Sequence, residues 1–366
     1  MSSPEVVVGD AAQPIDHERV SRWIEITVGL QPPYNFEIVA NGRSNLTYVV
    51  RDSNSDAFVL RRPPLGPVLP TAHDMGREYR VISALSGTPV PVPTPIALCD
   101  DVQVTGAPFY LMGHVEGHVI RTLDDVDSVL DMPARTAVST ALVEALASIH
   151  SVDPEAVGLG DLGRRDNYVA RQLKRWLGQL HKSTDSDDRE VGDDVAYLER
   201  AHSWLAAAIP EEASATLVHG DFRLGNCLIS TDGDIRAVLD WETCTLGQPL
   251  ADLAILLVGW TEADDDDLLG LAADRITPTS AEGFADRSGI VDLYENATGR
   301  DVSDLPFYYA FAWWRMACVL HGVAARYHQG AGGGETAGQE TMLFKARGAT
   351  ETARRALIEA GLNHDG

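Results

Sequence analysis

Apolar positions along the chain change period several times, and each change predicts an element. Val20, Trp23, Ile24 and Val28 share one side of a helical wheel, so residues 15–30 are predicted helical up to Gly29 and the Pro32-Pro33 break. Short apolar runs at 36–39, 46–50 and 57–61 predict three strands. Tyr79, Ile82 and Leu85 then line one face of a helix over 75–85. The run Pro89-Val90-Pro91-Val92-Pro93-Thr94-Pro95 is stiff and extended, with no helix possible. Two further strands are expected at 96–99 and 109–112, separated by a turn at Asp100-Asp101.

Beyond residue 113 the period is mostly helical. Residues 138–150 carry a stripe of Leu142, Leu146 and Ile149, and His150 ends that helix in a core or capping role. Helices follow over 168–180, 195–209, 250–260, 305–327 and 342–362. Trp176 reads as core or as a ligand contact. The stretch 305–327 is apolar nearly all round, the pattern of a buried helix, and Arg315 within it needs a carboxylate or a substrate. Residues 181–194 are polar and acidic and read as a mobile loop; 330–338 read as a flexible linker. The chain is therefore α+β, with a strand-rich part over 1–112 (1–14 a disordered tail) and a mainly helical part over 113–366.

The strand pattern returns once more, around the chemistry. Val218 leads into His219-Gly220-Asp221, and Asn226 follows. Residues 227–229 form a strand, Asp232-Gly233 is a two-residue hairpin tip, and 235–239 return to deliver Asp240. The hairpin folds the chain back, so Asp221, Asn226 and Asp240 can converge. Two carboxylates and an amide oxygen make the all-oxygen set that holds Mg²⁺ and leaves positions for phosphate and water. Protein kinases use this order: one Asp orients the attacking hydroxyl, and an Asn and a later Asp hold the metal.

HGDFRLGN followed by LDWETCTLGQPLADLA closely resembles the aminoglycoside phosphotransferase-like kinases, in particular the branch with relatives fused to acyl-CoA dehydrogenases. The resemblance runs from about Phe36 to the C-terminal helices. It implies a two-lobed protein-kinase-like fold, with a small antiparallel sheet and one main helix in the first lobe and a larger helical second lobe. It implies Asp221 as catalytic base, Asn226 and Asp240 as magnesium ligands, Arg223 at the transferring phosphoryl and His219 as an anchor of the loop. Asp252 would brace that loop through backbone N–H groups, or simply sit at a helix N-terminus. Gly42, Arg43, Ser44 and Asn45 would cover the phosphates, or form only a hairpin tip. The family's phosphate-binding Lys falls at Arg61, with Arg62 beside it, and no Lys precedes Lys174. Arg keeps the charge and can clamp phosphate, with a different geometry. Glu78 would pair with Arg61 or face solvent. Hinge backbone around Leu111, Met112 and His114 would bond adenine. The implied cofactors are ATP and Mg²⁺.

Other motifs fail on context. Residues 158–163 spell GxGxxG, but a helix and a Pro-containing turn precede them and no βαβ unit surrounds them. His114 and His118 lack the HExxH pattern of a zinc site. The acidic run 262–267 lacks the spaced ligands and glycine of a calcium loop and reads as a helix start or solvated tip.

Composition narrows the partners. With 366 residues, 45% hydrophobic and 23% charged, the chain can bury real cores as a soluble globular protein. A formal net charge of −25 argues against nucleic acid or an anionic membrane as partner. It leaves open a cationic substrate or a merely solubilising surface. Cys99, Cys227, Cys244 and Cys318 form no CxxC pair and read as reduced thiols. No apolar run suits a membrane span and no signal-peptide pattern opens the chain, so a cytoplasmic location is expected. The expected activity is ATP- and Mg-dependent phosphorylation of a small-molecule hydroxyl, on an aminoglycoside-like, choline- or sugar-like, or hydroxyacyl-CoA acceptor. A nucleotide-binding pseudokinase, motivated by the missing Lys, and a non-enzymatic binding module are the alternatives. The oligomeric state is left open.

Overall fold

The computed structural model describes residues 15–40, 45–64, 73–183, 189–212, 214–265, 278–328 and 336–363. Contacts divide the chain into two compact units, Met1–Ser86 with Pro93–Val115, and Gly87–Val92 with Glu116–Gly366.

The first unit is built on a five-stranded antiparallel sheet. Its strands are β1 (Asn35–Ala40), β2 (Leu46–Arg51), β3 (Ala57–Arg62), β4 (Pro95–Cys99) and β5 (Phe109–Gly113), in the order β1-β2-β3-β5-β4. Tyr48 faces Leu60 and Val50 faces Phe58, which puts four alternate side chains on one buried face. Helix α1 (His17–Thr27) covers that face with Val20 and Ile24, each fully buried. Its first N–H groups are capped by Asp16. Helix α2 (Met75–Leu85) starts on Asp74 and buries Met75, Glu78, Val81, Ile82 and Leu85. Where a plain turn was predicted after β4, a single helical turn forms, α3 (Val102–Thr105). Asp101 caps it and Gly106, at φ 84°, ends it. Four residues are too few to show a helical period.

The second unit is mainly helical. Helix α4 (Leu123–Val129) opens on a capping box of Thr122 and Asp125. Helix α5 (Met132–Ser151) begins six residues before the predicted start, because Asp131 caps it and Pro133 suits its first turn. Helices α6 (Tyr168–Ser183) and α7 (Arg189–Ala207) take up most of the stretch predicted as a loop. Tertiary packing overrides the weak helical preference of its Asp and Ser residues; residues 184–188 lie outside the described residues.

After α7, β6 (Thr216–Val218) pairs with β9 (Thr245–Gly247), and between them β7 (Cys227–Ile229) and β8 (Ile235–Val238) form the hairpin. The unit closes with α8 (Pro249–Val258), α9 (Arg287–Thr298), α10 (Leu305–Arg326) and α11 (Thr336–Glu359). Helix α11 begins inside the stretch predicted as linker. Trp241, Trp260, Trp313 and Trp314 are fully buried here. Of the acidic run after Trp260, Glu262 and Asp265 are not solvated tips; both bind Arg287. Every pairing among the described strands is antiparallel, so residues 158–163 have no parallel βαβ unit to serve.

Candidate active site

Backbone pairing assembles this site. β6 and β9 set Val218 opposite Thr245, which holds both ends of the segment between them. Inside that segment Cys227 faces Val238, and the Leu239 N–H donates to the Asn226 carbonyl at 2.8 Å. Asp240 is the next residue, so the hairpin cancels its sequence separation from Asn226.

Asn226 Nδ2 donates to the Asp221 main-chain carbonyl at 2.8 Å and to the Asp221 carboxylate Oδ2 at 2.9 Å. These bonds orient the amide and leave its Oδ1 as the acceptor. Arg223 Nε lies 3.4 Å from the same Asp221 oxygen, with the two side chains 50% and 39% exposed, a loose and solvent-screened contact. Asp240 sits at φ 67°, ψ 61°, the left-handed region that few non-glycine residues occupy. Trp241 anchors it from behind: its indole donates to the Val238 carbonyl at 3.0 Å, and its ring lies 4.7 Å from that of His219.

The start of the loop is held by buried groups. Asp252, in the first turn of α8, accepts the N–H groups of His219 at 2.5 Å and Gly220 at 2.7 Å. His150, near the end of α5, places Nε2 at 3.4 Å from Asp252 and Nδ1 at 2.7 Å from the Tyr294 hydroxyl of α9. Burial pulls the His150 imidazole below its usual range, so the ring is neutral, donating from Nε2 and accepting the Tyr294 hydroxyl. Burial alone would raise the Asp252 carboxyl. The hydrogen bond from His150, joined by the Gly220 N–H, outweighs that and holds it below the usual carboxylate range. His219 spends both ring nitrogens on backbone: Nε2 lies 3.0 Å from the Leu239 carbonyl, and the Asp221 N–H donates to Nδ1 at 3.3 Å.

For Arg315 the structure corrects the carboxylate alternative. Arg315 is half-buried and donates from Nη2 to the Gly220 carbonyl at 2.8 Å, with its guanidinium 5.0 Å from the Trp176 ring; no carboxylate pairs with it among the described residues. Burial pushes the Cys227 thiol up to about 12, so it is no nucleophile. Among the described residues no three His, Cys, Asp or Glu side chains form a metal cluster. Two carboxylates and an amide oxygen still suit a cation that takes its other ligands from phosphate and water.

In the first unit Arg61 Nε stands 3.1 Å from Glu78 Oε2, and Glu78 is buried rather than solvent-facing. Leu111 has Leu60 on one side and Ala97 on the other, so strand pairing occupies backbone expected to be open to adenine. Met112 faces Val59 and Pro95, and the His114 N–H points to the Ala57 carbonyl at 3.4 Å. Asn45 is buried just before β2; Gly42, Arg43 and Ser44 lie outside the described residues. Thr243 and Arg315 bond the loop directly, and His150 and Tyr294 act on it through Asp252; none of these partners was predicted. His150 had a weak signal as a polar end to an apolar helix; Tyr294 had none.

Residues 35–284 match the phosphotransferase enzyme family, APH. The chain belongs to that family. Acyl-CoA dehydrogenase family member 10 of Mus musculus is 35% identical over 341 residues, which are 91% of this chain and 30% of the relative. Acyl-CoA dehydrogenase family member 11 of Gallus gallus is 33% identical over 312 residues, 84% of this chain and 38% of the relative. The APH chain thus spans about a third of the length of these curated relatives. A candidate aminoglycoside phosphotransferase from Ralstonia eutropha JMP134 is 32% identical with a TM-score of 0.76, covering 95% of this chain and 98% of that one. The APH fold is protein-kinase-like, and the family is one of phosphotransferases. No helix among the described residues is long and apolar enough to cross a membrane.

Proposed function

We propose that this APH-family protein transfers a phosphoryl group from Mg–ATP to a hydroxyl of a small molecule, with Asp221 as the base. The observation that carries this reading is the Asn226 amide, which bonds Asp221 from Nδ2 and leaves Oδ1 as acceptor, while the Leu239 N–H bond to the Asn226 carbonyl draws in the backbone that leads into Asp240. Asp221 is part-exposed, so an acceptor hydroxyl can approach it. Its carboxylate orients that hydroxyl and takes its proton as the bond to phosphorus forms. Asn226 Oδ1 and the Asp240 carboxylate would hold Mg²⁺, which when bound neutralises charge on the phosphates. Arg223 is long enough and exposed enough to meet the transferring phosphoryl. Arg61, steadied by Glu78, would meet the nucleotide phosphates, with adenine against backbone near His114. His219 and Asp252 hold the loop and take no part in proton transfer. Four buried cysteines, none in a disulfide, suit a reducing compartment such as the cytoplasm.

Asp221→Asn tests the assignment. The exchange keeps the shape and a hydrogen-bonding oxygen and removes the base. Turnover is expected to drop by roughly 10² to 10⁴, the range for a lost general base, while Mg–ATP still protects the protein against unfolding. A variant that keeps full activity would refute the role. Tight Mg–ATP binding with no product from any hydroxylated compound would instead identify a pseudokinase.

A further inference from the structure

We propose that Arg175 and Arg315 form an anion subsite beside the Asp221 loop, which binds a carboxylate or phosphate group carried by the hydroxylated acceptor. This rests on the phosphotransferase reading of the loop and adds to it the chemical class of the acceptor.

Arg315 gives one donor to the Gly220 carbonyl, immediately before Asp221, and so stands at the loop itself. Its guanidinium lies 5.0 Å from the centre of the Trp176 ring, and that of Arg175 lies 5.2 Å from the same ring. One indole thus carries two cations, each favourable over a π-face, and they are near enough for the charge of Arg315 to act on Arg175. Neither has a carboxylate partner among the described residues. Arg171, one turn earlier on α6, gives Nη2 to the Arg164 carbonyl and keeps Nη1 buried with no partner. Partial burial around the guanidinium and the charge of Arg315 both pull Arg175 below the usual arginine range, although the residue as a whole remains exposed.

Acid pairing is common among the other part-buried arginines. The chain has 54 Asp and Glu against 29 Lys and Arg, so acids to pair with are plentiful. Arg61, Arg135 and Arg287 each have one. Arginines massed without an acid repel one another and lose solvation, costs that an anionic ligand offsets. Planar guanidinium groups also match the two oxygens of a carboxylate or phosphate. A polycationic acceptor would meet like charge here. The net charge of −25 therefore does not decide the acceptor; the local field beside the loop does.

The test pairs turnover with binding. Purified protein with Mg–ATP is offered matched alcohols that are neutral, carboxylated, phosphorylated or aminated, and ADP release is followed. The anionic members are expected to be preferred, and carboxylated against phosphorylated members separate the two sources of charge. Arg175→Gln is expected to raise KM for anionic members by about tenfold or more with little change in kcat. It should leave neutral members unchanged, and Arg175→Lys should restore part of the loss. In parallel, inorganic phosphate is titrated with AMP-PNP and Mg²⁺ present. It should raise the unfolding temperature of the wild type more than that of Arg175→Gln. A preference for neutral or aminated alcohols, or an equal loss on all members in Arg175→Gln, overturns the subsite. If nothing is phosphorylated, a phosphate response that depends on Arg175 sustains the subsite while the kinase reading fails. A response that is absent or independent of Arg175 in that case overturns both.

Discussion

Gly220 holds φ +82°, and a Cβ there would stand 2.9 Å from both the carbonyl oxygen and Oγ1 of Thr243. Thr243 cannot retreat cheaply, because its Oγ1 donates to the His219 carbonyl at 2.8 Å. Gly220→Ala is therefore expected to cost at least about 1–2 kcal/mol from the backbone alone, measured by urea unfolding, and to impair turnover by moving Asp221. Asp240 is the opposite case, a side chain that tolerates the left-handed region without being glycine. Strain of this kind is kept where a group must be aimed. Asp240→Asn keeps the backbone preference and removes the charge. Its stability should stay within about 1 kcal/mol of wild type, while turnover at fixed Mg²⁺ falls steeply. A variant as active as wild type would remove Asp240 from the metal set.

Three helices meet at one carboxylate. α8 supplies Asp252, α5 supplies His150 and α9 supplies Tyr294, and together they fix the N–H groups of His219 and Gly220. The relay is buried, so a missing partner leaves an unsatisfied group with no water to replace it. Tyr294→Phe keeps the ring and deletes the hydroxyl that His150 accepts. A loss of about 1–3 kcal/mol is expected, read from denaturant midpoints, with a smaller effect on KM for ATP than on stability. On the proposed function, the β3–α2 pair of the first unit, Arg61 with Glu78, serves the nucleotide. Arg61→Ala should raise KM for ATP and leave KM for the acceptor nearly unchanged in steady-state kinetics. An equal rise in both would place Arg61 outside the nucleotide site.

Across the whole molecule, burial makes several groups intolerant of acid. Burial lowers His321 to about 4 and lowers His150 as well, so the folded protein refuses protons that the unfolded chain accepts below 6.5. The unfolded state then binds more protons, and stability falls as pH drops from about 6.5 towards about 4. Asp252, held below the ordinary carboxylate value of 3.8, adds a further loss below that pH. Unfolding free energies measured from pH 7.5 down to 4 should decline below about 6.5; a flat profile there would contradict the buried neutral imidazoles. Local pattern alone determined the strands of the sheet, the 227–238 hairpin, the helices at 75–85 and 305–327, and the order of Asp221, Asn226 and Asp240. Period, capping and turn chemistry act over a few residues and are written in the chain. Which groups touch was decided only by tertiary structure. Tyr294 meets His150 across 144 positions, and Arg315 meets Gly220 across 95. No local rule carries such pairs, because long-range contacts form only when whole elements pack and exclude water.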